Sequence, residues 1–223
     1  YPPEFERFTP AMPENTDVLS LDPTPEAIEG ITNRYKNSLF FLDDALDGFF
    51  RKVDSFGLAT NTFFLIVGDH GESLGDAGFF AHATGPHIDQ FHVPCIILGS
   101  GIQPQTIDGL TQHVDVIPTL GSLMGFTAGN LVGENAQTAS RGAVLNFDFS
   151  SENRVIVRSN DHMSLFDVGS NGRPSWVLTM QNNFSLDRSL YQAYLSTGST
   201  YLAGLVREDF GQLSNLFGKL NEN

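Results

Sequence analysis

From Ile28 to Val53, apolar residues return every three or four positions: Ile28, Ile31, Tyr35, Leu39, Leu42, Leu46, Phe49 and Val53. That spacing predicts one long amphipathic helix with a single apolar stripe. Thr24-Pro25-Glu26 supplies a cap, a first-turn proline and a first-turn acid at its start, and Gly57 supplies its stop. Arg34, Lys36, Asp43, Asp47 and Arg51 fall on the opposite face, which reads as solvated. Ahead of the helix, residues 1–23 hold five of the eleven prolines and little periodicity, as expected of an extended loop crossing a surface. The pattern then changes to unbroken apolar runs, Phe63 to Val67 and Val93 to Leu98, each closed by glycine. Such runs predict strands of a sheet covered on both faces. Between them lies a loop of about 20 residues, Gly71 to Gln90, and loops that long in compact domains tend to be functional. Val114 to Met124 returns to a helical pattern, with Val114, Ile117, Leu120 and Met124 on one side.

After about residue 128 the texture shifts again. Ala143–Phe147, Arg154–Arg158, Met163–Val168 and Trp176–Met180 are short strand-like runs separated by turn residues, the spacing of an antiparallel meander. Leu186–Leu195 and Val206–Leu220 read as helices. The expected fold class is α/β: residues 1–130 form part of a mixed sheet flanked by helices. Residues 131–223 add a smaller antiparallel region with closing helices in the same domain.

Composition narrows the function. With 223 residues, 40% hydrophobic and 17% charged, the chain can bury a sizeable core. A net charge of −14 argues against non-specific binding to nucleic acid or anionic lipid. It also suggests that positive charge for an anionic substrate comes from metal rather than from Lys or Arg. Cys95 is the single cysteine, so no disulfide framework exists within this chain, and its strand context reads as a small core residue. No run of 18 apolar residues and no signal peptide are present in this sequence. The chain opens at Tyr1-Pro2-Pro3 without a Met, as a fragment or a processed product would.

The chemistry concentrates after the first predicted strand. Gly68-Asp69-His70-Gly71-Glu72 follows Val67 directly. In open α/β sheets ligands bind beyond the carboxyl ends of the strands, so an Asp-His pair there is well placed to hold a metal. On a regular strand Asp69 and His70 point to opposite faces. At a strand end they can serve two metals, or one metal reached after a bend. Four of the six histidines, His70, His82, His87 and His92, fall within 23 residues beside several acids.

The run Gly68-Asp69-His70-Gly71-Glu72-Ser73-Leu74-Gly75, then Gly78, His82 and His92-Val93-Pro94, resembles the C-terminal metal motif of the alkaline phosphatase superfamily. The match is to its sulfatase branch, which includes arylsulfatases, lipoteichoic acid synthases and phosphoethanolamine transferases. Asn33-Arg34-Tyr35 through Asp43-Asp44 resembles the long helix before the motif strand, and Gln112 through Leu120 the segment after the next strand. The resemblance covers roughly residues 1–130 and implies roles residue by residue. Asp69 and His70 match ligands of the catalytic divalent metal, which could be zinc, manganese or calcium. His82 matches an active-site histidine that contacts a second metal or the substrate. His87 matches no family position; His92 stands where sulfatases often carry Arg. Asp115 reads as a helix-start cap and Glu72 as a loop stabiliser.

The resemblance also implies what this chain lacks. An early strand of the family supplies another metal-binding acid, close to a Thr, Ser or formylglycine nucleophile. Neither can be placed here, and Cys95 is followed by Ile-Ile-Leu rather than the formylglycine pattern Cys-x-Pro-x-Arg. The expectation is therefore the C-terminal half of a longer metal-dependent hydrolase or transferase, acting on sulfate or phosphate esters through a covalent intermediate. The N-terminal half would be required for activity. A lipid headgroup is a candidate substrate, and the expected setting is an extracytoplasmic domain, periplasmic or at the cell surface, of a membrane-anchored enzyme. The alternative is a non-catalytic pseudoenzyme or binding module that retains the fold.

Overall fold

A computed structural model describes residues 1–75, 78–85, 87–127, 129, 131–147, 154–159, 162–168 and 174–181. The predicted closing helices, Leu186–Leu195 and Val206–Leu220, lie outside the described residues. The chain divides into two compact units, Tyr1–Thr106 and Ile107–Asn223.

The first unit is built on helix α1, Pro25–Ser55. Thr24 caps it by accepting the Ala27 N–H, Pro25 occupies the first turn, and Gly57 leaves it with φ 67°, as the sequence predicts. Residues 1–13 do cross a surface, and that surface is α1 itself. Gly30, Asn33, Arg34 and Asn37 share one helix face by their spacing. The Gly30 carbonyl accepts the Met12 N–H, Asn33 donates to the Pro10 carbonyl, and Arg34 donates to the Met12 carbonyl. Asn37 is fully buried; its Oδ1 accepts the N–H groups of Arg7 and Phe8, and its Nδ2 donates to the Phe8 carbonyl and the Tyr1 hydroxyl. Arg34 is thus a clamp on the N-terminal segment, because the orphan carbonyls of an irregular strap need donors.

Strands β1, Phe63–Val67, and β4, Cys95–Gly99, pair antiparallel with Val67 opposite Cys95. Phe64 packs edge-on against Phe49 and Phe50, which seats β1 on the C-terminal half of α1. Covering of both faces is not seen among the described residues: Leu65, Val67, Ile96 and Leu98 remain exposed. Cys95, expected in the core, is exposed for the same reason, since among the described residues this part of the ladder carries no second layer. Within the long loop, which the sequence pattern leaves without structure, a short hairpin forms: β2, Ser73–Leu74, and β3, Phe80–Ala81. Phe80 is buried with Ala27 and Ile31 of α1, ringed by Met12, Val18, Leu21, Ile28 and Leu74. Burial of one such aromatic contributes about 1.5–3 kcal/mol, so the hairpin is fastened to the helix at its tip.

The second unit opens with a 3₁₀ turn, His113–Asp115, that leads into α2, Val116–Met124. Asp115 accepts the Gln112 N–H in a reciprocal capping box, the role its sequence context predicts. Almost fully buried, it also accepts the Glu134 N–H and pairs with both guanidinium Nη atoms of Arg141. Strands β5 (Val144–Phe147), β6 (Arg154–Arg158), β7 (His162–Val168) and β8 (Pro174–Gln181) form the expected antiparallel meander in sequential order. Its buried residues include Val144, Ile156, Met163 and Leu165. Among the described residues no helix is long and apolar enough to cross a membrane.

Candidate metal centre

β1 delivers the centre. The ladder ends as the Gly68 N–H bonds the Pro94 carbonyl, and a Cβ on Gly68 would press on Val93. The chain then bends, so Asp69 and His70 converge instead of diverging: Asp69 Oδ2 lies 3.6 Å from His70 Nε2. Asp69 Oδ1 accepts the His70 backbone N–H at 3.0 Å. That bond, a second backbone N–H and the charge of His70 hold the Asp69 carboxyl below the usual carboxylate range.

His70 Nδ1 lies 3.0 Å from the Gly71 carbonyl oxygen. A carbonyl only accepts, so Nδ1 carries a proton, and in the neutral ring Nε2 keeps its lone pair. In that form two acceptor-type atoms face each other across a gap close to the about 3.3 Å between two ligands of a tetrahedral zinc.

Glu72 and His82 gather with His70 into a group of three, and Asp69, the other expected ligand, touches that group only through His70. His82 Nδ1 is 2.9 Å from Glu72 Oε2, and the His82 ring lies against the His70 ring with centroids 3.9 Å apart. One donor atom each of His70, Glu72 and His82 lies within 4.8 Å of the others. Imidazole and carboxylate in one cluster suit a divalent ion, so the residues present fit the metal that the sequence motif implies. All of these groups are at least partly exposed.

A buried amide braces the loop. Gln90 donates from Nε2 to Ser73 Oγ and Thr84 Oγ1 and accepts the Thr84 N–H at Oε1, while its backbone carbonyl accepts the Gly71 N–H. A Cβ on Gly71 would collide with the Asp89 carbonyl, which is why glycine follows His70. Ala81 and Ala83, on either side of His82, both have positive φ, 65° and 55°. Such backbone is uncommon outside glycine and gathers at functional sites.

Other sequence candidates fall elsewhere. His87 is buried and caps the turn Ile88–Gln90, with Nδ1 near the Asp89 N–H and Oδ2. His92 is exposed and outside the cluster. His113 sits in the turn before α2 in the second unit. The Cys95 thiol is pushed up by partial burial of its sulfur, the opposite of what a reactive thiolate requires. Sequence reasoning gave Glu72 a loop-stabilising role and passed over Gln90. Glycines 75 and 78 between Glu72 and His82 are the turn signal that could have paired the two.

The Sulfatase family model matches residues 1–126. Phosphatidylethanolamine transferase Mcr-1 of Escherichia coli is 30% identical over 135 residues, 57% of this chain and 24% of that protein. Choline-sulfatase of Rhizobium meliloti is 27% identical over 117 residues, 50% of this chain and 22% of that protein. The solved structure of a protein in the alkaline phosphatase superfamily from Vibrio parahaemolyticus superposes with a TM-score of 0.51 at 25% identity, over 68% of this chain and 35% of that one. The chain thus spans about a quarter of the length of these curated relatives.

Proposed function

The chain belongs to the sulfatase family, within the alkaline phosphatase superfamily, and from that premise we propose that it serves metal-dependent transfer or hydrolysis of phosphate or sulfate esters. The observation that carries this reading is the convergence of His70, Glu72 and His82 beyond the end of β1, with the exposed Asp69 carboxylate 3.6 Å from His70. Asp69 and His70 would hold the metal, and His82 would act at the substrate oxygens. A divalent ion bound there supplies Lewis-acid charge for the non-bridging oxygens and lowers the pKa of an attacking group. The electrostatics support this: residues 62–92 contain no Lys or Arg, while Asp69 and Glu72 are acidic. An anionic ester therefore meets repulsion at this cluster unless a cation is held there.

In this reading the nucleophile, a Ser, Thr or formylglycine, and a further acidic ligand come from sequence other than these 223 residues. A covalent phospho- or sulfo-enzyme then passes its group to water or to an acceptor alcohol. The Asp-His-Gly-Glu-Ser-Leu-Gly run and the similarity to a phosphatidylethanolamine transferase favour a lipid headgroup phosphate ester. The similarity to a choline-sulfatase keeps sulfate esters in the class. With a lipid substrate, this reading sets the domain outside the cytoplasm, periplasmic or at the cell surface, on a membrane-anchored enzyme.

Titration of the 223-residue chain with zinc and manganese tests the centre. Saturable binding of a divalent ion is expected, weakened at least about tenfold by Asp69→Ala or His70→Ala. Unchanged affinity in both variants would sink the assignment. Ester turnover by this chain alone would sink the claim that the nucleophile lies elsewhere.

A further inference from the structure

We infer that Glu72 is a positioning residue: it holds the proton of His82 on Nδ1 and so presents a bare Nε2 lone pair to the centre. The inference rests on the reading of His82 as an active-site group and extends it, since His82 lies close enough to His70 to share an ion with it as well as to meet a substrate oxygen.

The hairpin register brings the two together. Ser73 stands opposite Ala81, and Leu74 opposite Phe80. One step outward along the same register, Glu72 stands opposite His82. Side chains directly across an antiparallel pair have Cβ atoms about 4.5–5.5 Å apart, within reach of a carboxylate and an imidazole. The contact forms, at 2.9 Å between Nδ1 and Oε2. An ionised carboxylate accepts and cannot donate, so the neutral ring must carry its proton on Nδ1. Free histidine side chains in water mostly carry it on Nε2, the atom that here has to stay open. A carboxylate behind an imidazole fixes both tautomer and ring orientation and raises the basicity of the far nitrogen.

Both partners are braced from behind. On the Glu72 side, the Gln90 side-chain amide donates to the Ser73 hydroxyl, and its backbone carbonyl accepts the Gly71 N–H. On the His82 side, the same side chain bonds the N–H and hydroxyl of Thr84, and the flanking Ala81 and Ala83 both have left-handed backbone. The His70 ring closes one face of the His82 ring. One side-chain amide thus ties both ends of the hairpin that carries the pair.

The test is ¹⁵N-imidazole NMR of the metal-free chain, well above the ordinary imidazole pKa. His82 should show the Nδ1–H tautomer. Glu72→Ala should move the proton mainly to Nε2, whereas Glu72→Gln should retain it on Nδ1, because the amide oxygen accepts the same bond. A wild-type His82 with its proton on Nε2, or a tautomer indifferent to Glu72→Ala, overturns the inference. Zinc titration separates holding His82 from ligating the ion: positioning predicts about tenfold or greater loss for Glu72→Ala and near wild-type binding for Glu72→Gln. Equal losses in both variants overturn positioning in favour of direct ligation. The underlying reading fails separately: His82→Ala with unchanged zinc affinity removes His82 from the centre, while the tautomer still reports what Glu72 does to it.

Discussion

Replacing Gln90 by Ala removes the brace behind the metal centre, and the structure sets the size of the effect. Gln90 is 5% exposed and its side chain makes three hydrogen bonds, to Ser73 Oγ, to Thr84 Oγ1 and from the Thr84 N–H. At about 1 kcal/mol net per bond, the loss is about 3 kcal/mol. The Ser73 hydroxyl, 3% exposed, is left without its amide donor, which pushes the figure upward. Gln90→Met keeps most of the volume while deleting the polar atoms, so it separates hydrogen bonding from cavity formation. Urea denaturation reads the global loss, and native-state hydrogen exchange reads the local one. The Thr84 amide should exchange roughly 100-fold faster, since each 1.4 kcal/mol is a factor of ten. The same variants should weaken zinc binding without touching any proposed ligand. If Gln90→Ala and Gln90→Met both stay within about 1 kcal/mol of wild type and Thr84 exchange is unchanged, the bracing argument is wrong.

Three further outcomes follow from the same structure. Asp115→Ala leaves the largely buried Arg141 guanidinium with only the exposed Glu134 carboxylate, 3.6 Å away, and should cost about 3 kcal/mol in urea unfolding; a cost under about 1 kcal/mol would show the pair to be ornamental. Gly71→Ala drives a Cβ into the Asp89 backbone and should destabilise by about 3 kcal/mol. It should also abolish zinc binding while circular dichroism still reports helix, an outcome that normal zinc affinity would refute. Asp69, with its carboxyl held down first by the His70 backbone N–H, should titrate in the metal-free chain below the ordinary carboxylate value of about 3.9. Its stabilising contribution is then present above the unfolded-state pKa and lost as pH falls through the depressed one. A carbon-13 NMR midpoint at or above the ordinary value contradicts this.

The helix, the two central strands and the meander were legible because each is carried by local pattern. α1 announces itself through Thr24-Pro25-Glu26 and an unbroken apolar stripe, and β1 through five apolar residues closed by Gly68. Asp69, His70 and His82 were legible because a strand end and clustered histidines are chemical signals in a linear string. Glu72 facing His82 depends on the pairing register of a hairpin only two residues deep, below the length at which alternation can be read. Gln90 bonds Ser73 from seventeen residues away, and no periodicity encodes that contact. Leu65 and Val67, exposed on one face of the ladder, and Ile96 and Leu98, exposed on the other, are the converse case: the composition of a strand reports what it is suited to bury, not what is there to cover it.

The clasp of Asn37 on residues 1–8 bears on which side chains a single helix position can accept. Its amide accepts the Arg7 and Phe8 N–H groups and donates to the Phe8 carbonyl and the Tyr1 hydroxyl. Because the residue is fully buried, no water stands ready to replace a lost partner. Aspartate at this position would keep the acceptor but set a carboxylate against the Phe8 carbonyl, and leucine would orphan the Arg7 and Phe8 N–H groups. Position 37 therefore selects asparagine for the sake of backbone some thirty residues away in sequence, not for the helix it belongs to.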